Sequence, residues 1–171
     1  GRYPWQDKII NEIIDESQAR VKDTDDRSII WIQDSKGGNG KSKLVKWCCF
    51  RYNDIIKISF GTSNQLRSAL IAAGAKRAYF IDVPRTLGSD DSLASLMSAL
   101  EDLKNGFIVS AMYGKHQSLL LDPPHIVVFS NDTCPERYMS TDRWKIYTIN
   151  YERDFIVRKG DTYVTWEDQN D

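Results

Sequence analysis

The chain has 171 residues, 41% of them hydrophobic, and its 23 basic and 24 acidic side chains give a formal net charge of −1. That length fills one domain with little left for a second, and the near-neutral balance excludes a protein that coats duplex DNA through a broad basic face. No apolar run is long enough to span a membrane, no secretory signal opens the chain, and three cysteines make neither a disulfide framework nor a metal-ligand spacing, so an intracellular setting is expected.

Trp5, Ile9, Ile10, Ile13 and Ile14 recur at helical spacing and predict an amphipathic first helix. The polar stretch Lys22-Asp23-Thr24-Asp25-Asp26-Arg27 breaks that pattern and reads as a linker. Ile29-Ile30-Trp31-Ile32 is a short apolar run suited to a strand buried on both faces. A glycine-rich turn follows, then a helix from about Ser42 to Phe50. Ile55–Ile58 reads as a second strand, Thr62-Ser63 as an N-cap for a helix carrying Leu66, Leu70 and Ile71, and Tyr79-Phe80-Ile81 as a third strand ending at Asp82. Leu93, Leu96, Met97, Leu100 and Leu103 share one helix face, which Asn105-Gly106 stops. Beyond it, Phe107–Val109, Leu119–Leu121, Ile126–Phe129, Trp144–Ile149 and Tyr163–Trp166 are strand-like. Alternating strands and helices imply an α/β fold with a mainly parallel sheet, helices on both faces and ligands at the carboxyl ends of the strands.

Candidate chemistry falls at such ends. The turn Asp34-Ser35-Lys36-Gly37-Gly38-Asn39-Gly40-Lys41-Ser42 joins a strand to a helix. Its glycines let backbone N–H groups converge on a polyphosphate, and the helix directs its positive end at the same place. Lys41 can reach the β and γ phosphates of ATP, and the Ser42 hydroxyl can ligate Mg²⁺. The usual pattern opens with glycine where this chain has Ser35. Asp82 ends its strand opposite Ser42 and can hold the same Mg²⁺. Val83 follows where many such enzymes place a second carboxylate, so no general base is identified. Ile126–Phe129 leads to Asn131, whose amide can bond a γ-phosphate or the attacking water; by spacing alone, Asn131-Asp132 opens a turn instead.

Taken in order, these motifs resemble the superfamily 3 helicase domains of replication-initiator (Rep) proteins from small circular single-stranded DNA viruses. Gly37–Ser42 is similar to their phosphate-binding motif, and Phe80-Ile81-Asp82-Val83-Pro84-Arg85 to the acidic motif of nanovirus-like members. Lys104-Asn105-Gly106 through Tyr113-Gly114-Lys115-His116 resembles their motif B′, and Pro124–Asn131 their motif C. Ser140-Thr141-Asp142-Arg143-Trp144 is similar to the segment of their arginine finger. The resemblance covers about residues 3 to 150.

It implies an AAA+ three-layer sandwich over 25–171, preceded by a helical oligomerisation segment at 1–24 whose apolar side needs a partner surface. It also implies an ATP- and Mg²⁺-dependent 3′-to-5′ helicase motor that moves along single-stranded DNA as a homo-hexameric ring, in the host nucleus. Asn131 becomes a sensor, and Arg143 a finger inserted into the neighbouring subunit's site, with Arg137 as substitute. Lys115 and His116 fall near a hairpin tip, where they contact the DNA strand or are simply solvated. The paired-histidine endonuclease domain of full-length Rep proteins is expected to be absent, because His116 and His125 are not so arranged. An RNA-directed motor, or a nucleotide-binding assembly module with little turnover, stands beside this reading.

Overall fold

The computed structural model describes all residues except Thr86, Gly88, Ser89, Met112, Tyr113, 139–141, 160–161 and 170–171. Tyr113, Ser140 and Thr141 of the motifs above therefore lie outside the described residues. Helix α1 (Pro4–Ile13) leads into a short antiparallel pair, β1 (Ile14–Asp15) and β2 (Arg20–Val21). There follow β3 (Ile29–Gln33), α2 (Lys41–Arg51), β4 (Ile55–Ser59), α3 (Ser63–Ala73), β5 (Ala78–Asp82) and α4 (Asp90–Asn105). A separate antiparallel pair, β6 (Phe107–Ser110) and β7 (Gln117–Leu120), precedes β8 (His125–Ser130), β9 (Trp144–Ile149), β10 (Phe155–Lys159) and β11 (Thr162–Thr165).

The main sheet runs β11-β10-β9-β3-β8-β5-β4. Its five strands from β9 to β4 are parallel, and β10 and β11 extend it antiparallel. The expected α/β fold with a mainly parallel sheet is thus present. Strand β8 lies between β3 and β5, which joins the carboxyl ends of three strands side by side. Strand β10 goes beyond the sequence expectation.

Successive strand residues face opposite ways, and this alternation sorts the core into two layers. Ile30, Ile32, Phe80, Val127 and Phe129 pack with α1 and α2. Ile29, Trp31, Tyr79, Ile81, Ile126 and Val128 pack with α3 and α4. Trp5, Ile9, Ile10, Ile13 and Ile14 are fully buried in the first layer, and Trp5 meets the edge of Phe129 at 6.2 Å. The surface that α1 requires is therefore this chain's own sheet.

Local signals explain the boundaries. Thr62 accepts from Gln65 N while the Gln65 side chain accepts from Thr62 N, a capping box at the start of α3. Gly106 ends α4 with φ +84°, and a Cβ there would press on the Leu121 carbonyl oxygen.

The 22–28 stretch is pinned rather than loose. Lys22 N donates to Ile13 O at 2.8 Å, and its carbonyl bonds His125 Nε2 at 2.7 Å. The Lys104 ammonium, 0% exposed, donates to Pro124 O at 2.7 Å and lies 3.6 Å from Asp25. Burial lowers that ammonium to about 8 despite the nearby carboxylate. Burial opposes ionisation of Asp25 too, but bonds from the Ser28 hydroxyl and the Ser28 and Arg27 amides, with the Lys104 charge, pull it down to about 2.

Candidate functional site

The carboxyl end of β3 enters the glycine-rich turn, and α2 begins at Lys41. Gly37, Gly38 and Gly40 take φ values of +72°, +68° and +86°, in the left-handed region that side chains resist. Asp34 shapes the turn from within: its Oδ1 accepts from Gly37 N at 3.2 Å and from Asn39 Nδ2 at 2.9 Å. Helix α1 braces it from outside, with Trp5 Nε1 donating to Asn39 O and Gln6 Nε2 to Gly40 O, each at 2.8 Å. A Cβ on Gly40 would come within 2.5 Å of Gln6 Nε2, so glycine is required there.

A cavity of about 610 Å³ opens over this turn. Gly37 to Ser42 line it together with Asp82 from β5 and Asn131 after β8. Three separate stretches of sequence thereby meet, because β3, β8 and β5 are neighbours. Ser35 and Lys36 are not among the lining residues; the Lys36 ammonium instead sits 3.7 Å from the Tyr151 ring centroid.

Asp82 is held by one lysine at each oxygen: Lys41 Nζ is 3.4 Å from Oδ1 and Lys57 Nζ 3.3 Å from Oδ2. The three side chains are 28% to 47% exposed, so the pairs orient the carboxylate more than they stabilise the fold. With its amide oriented to suit its neighbours, Asn131 donates to Asp34 O and accepts from Arg85 Nε, both at 2.8 Å. Arg85, Lys57, Asp34 and Tyr3 all belong to the cavity or its rim beyond the residues singled out from sequence. Arg85 had a visible signal in its place three residues after Asp82. Lys57 had none, since its approach to Asp82 depends on β4 pairing β5 with Ser59 opposite Asp82.

The remaining candidates lie elsewhere. Arg143 stands at the amino end of β9, where its carbonyl accepts from Ile29 N at 2.8 Å, at the end of the sheet away from the turn. It is 8% exposed and donates to Asn105 Oδ1 at 3.2 Å. Its neighbour Asp142 is engaged by Arg27 through two bonds of 2.8 and 3.0 Å. Arg137, in the turn between β8 and β9, is exposed and lies 4.9 Å from the Tyr138 ring centroid. Lys115 and His116 are exposed in the connection between β6 and β7, so the expected hairpin is present with both residues near its end.

The donor set suits a phosphate-bound Mg²⁺: a glycine-rich turn at the amino end of a helix, one lysine, one hydroxyl and one carboxylate. Among the described residues no group of three His, Cys, Asp or Glu side chains gathers to hold a metal without such a ligand.

Comparison with known proteins finds viral replication proteins among the relatives of this chain. Para-Rep C3 of Milk vetch dwarf C3 alphasatellite is 29% identical over 146 residues, covering 84% of this chain and 46% of that protein. Para-Rep C2 of Subterranean clover stunt C2 alphasatellite is 31% identical over 140 residues, 82% of this chain and 45% of that protein. The Master replication protein of Milk vetch dwarf virus (isolate N) is 27% identical over 144 residues, 83% and 44%. The chain is a homologue of nanovirus and alphasatellite Rep proteins. It spans a little under half the length of these curated relatives. No protein-family model matches it. The geometry places the glycine-rich turn, Asp82 and Asn131 in one cavity and Arg143, Arg137, Lys115 and His116 outside it. Among the described residues no helix is long and apolar enough to cross a membrane.

Proposed function

We propose that this chain is the ATP-hydrolysing motor of a viral replication initiator, an AAA+ helicase domain that moves 3′ to 5′ along single-stranded DNA as a hexameric ring. The observation that carries this reading is the convergence of Lys41, Ser42, Asp82 and Asn131 on one cavity from three adjacent strands. The turn's N–H groups and Lys41 hold the polyphosphate, while Ser42 and Asp82 would hold Mg²⁺, which would supply charge neutralisation at the transferring phosphoryl group. Asn131, fixed between Asp34 and Arg85, orients the water or the γ-phosphate. Arg85 adds positive charge beside it.

Other roles extend from the cavity. Lys115 and His116 contact the strand's backbone at the hairpin, reading no sequence. The finger that completes a neighbour's site is Arg143 or Arg137; Arg137 is exposed, and Arg143 is buried and bonded to Asn105. If helix α1 serves oligomerisation, it does so through its outer polar face, because its apolar stripe is covered by this chain's own sheet.

Val83 in place of a second acid favours one alternative, a nucleotide-binding assembly module with little turnover; RNA as the track is another. Strand displacement separates them. ATP-dependent release of a DNA strand from a 3′-tailed duplex, and not from a 5′-tailed or an RNA duplex, is expected. Release from RNA alone would move the substrate to RNA. Nucleotide binding without release from any duplex would leave the assembly module.

A further inference from the structure

We propose that Tyr3 is the platform on which the purine base of the nucleotide stacks. The proposal rests on the reading of the cavity as a nucleotide triphosphate site, and it assigns the half of the ligand that the phosphate turn does not hold.

The sheet order gives the direction. Asp82 and Asn131 lie on the β8 and β5 side of β3, and β9 lies on the other side. The turn from β9 to β10, residues 150–154, comes back over the phosphate turn on that second side. There its Tyr151 ring receives the Lys36 ammonium at 3.7 Å, and its Arg153 carbonyl accepts from Trp5 N at 3.1 Å. A nucleotide whose terminal phosphate faces Asp82 and Asn131 thus directs its base toward Tyr3 and this turn.

Tyr3 is built for that position. It lines the cavity, its backbone N donates to Gln6 Oε1 at 2.8 Å, and the same Gln6 amide donates to Gly40 O. The ring edge lies against Gly40, 3.2 to 3.3 Å from where a Cβ would stand. Phosphate turn and aromatic ring are therefore fixed to each other through one side chain. The Arg153 guanidinium lies 4.7 Å from the centroid of the Tyr3 ring, over one of its two faces, and is not among the residues that line the cavity. Arg153 holds a φ of +57°, uncommon for a residue with a side chain, so this placement is maintained by its surroundings. Stacking uses the face that every base has, and it favours the larger purines; the nearest amide, Gln6, is already bonded at both ends.

The test compares binding of ATP, GTP, CTP and inorganic tripolyphosphate to the full chain in Mg²⁺. Tyr3→Leu, which keeps apolar bulk beside Gly40 but has no ring face, is expected to weaken ATP and GTP by about 5- to 100-fold while tripolyphosphate binding stays unchanged. Tyr3→Phe is expected to bind ATP as the parent does. ATP affinity unchanged in Tyr3→Leu would overturn the proposal, as would equal losses for ATP and tripolyphosphate. Failure of the underlying site reads differently: the parent would bind neither ATP nor tripolyphosphate, or would bind both as Lys41→Ala does.

Discussion

Burial lowers His125 from 6.5 to about 4, with the Lys104 and Arg77 charges adding to the effect and the bond to the Lys22 carbonyl opposing it. A neutral imidazole donating from Nε2 satisfies that carbonyl. Because the folded value lies below the unfolded one, the unfolded chain binds more protons between pH 4 and 6.5, and stability falls as pH drops through that window. The cost reaches ~3 kcal/mol at pH 4, the shift taken at 1.36 kcal/mol per unit. Chemical denaturation across that range is expected to show the loss in the parent and a much flatter profile in His125→Gln, which keeps a donor but cannot titrate. Equal profiles would remove His125 as the cause. Lys104, lowered to about 8, acts at the other end: its penalty is present below about 8 and is relieved as pH rises toward 10.5. At this scale the sequence was informative about Lys41, Ser42 and Asp82, because the turn chemistry is local. It was silent on Lys57 and on the buried state of Lys104 and Arg143. Their partners, Asp82, Pro124 and Asn105, come from segments distant in sequence that only the folded chain brings together.

The elements were legible where a single layer decides them. Strands buried on both faces read as apolar runs, and Thr62-Ser63 with Gln65 marks the start of α3 without any tertiary context. Strand β10 escaped because only Phe155 and Val157 of its residues are buried, too brief an alternation to stand out before β9 is known to accept it. Helix α1 shows the complementary limit: its apolar stripe is plain in the sequence, but a stripe does not say which surface covers it. Since Ile9 is fully buried against this chain's own sheet, Ile9→Ala is expected to lower stability by ~2–5 kcal/mol. That loss should be independent of protein concentration in thermal unfolding. A loss that appears only at concentrations where subunits assemble would return the stripe to an interface between copies.

At the scale of the molecule, the sheet order does the work that no motif shows alone. Placing β8 between β3 and β5 sets Asn131 beside the glycine-rich turn and Asp82, whereas the basic candidates Arg143, Arg137 and Lys115 remain outside the cavity. If an arginine completes the site from a neighbouring subunit, Lys41→Ala chains mixed with finger-deficient chains should regain activity that neither has alone. The experiment run with Arg143→Ala and with Arg137→Ala identifies which one acts. Recovery with neither, in mixtures that assemble, would remove the shared site. Whether the cavity hydrolyses nucleotide at all is tested most directly by phosphate release from ATP in Mg²⁺, with and without single-stranded DNA. Release by the parent is expected to rise with DNA and to fall at least ~100-fold in Lys41→Ala, the scale of a lost transition-state contact. No release at any protein concentration, with Lys41→Ala indistinguishable from the parent, would contradict the motor reading.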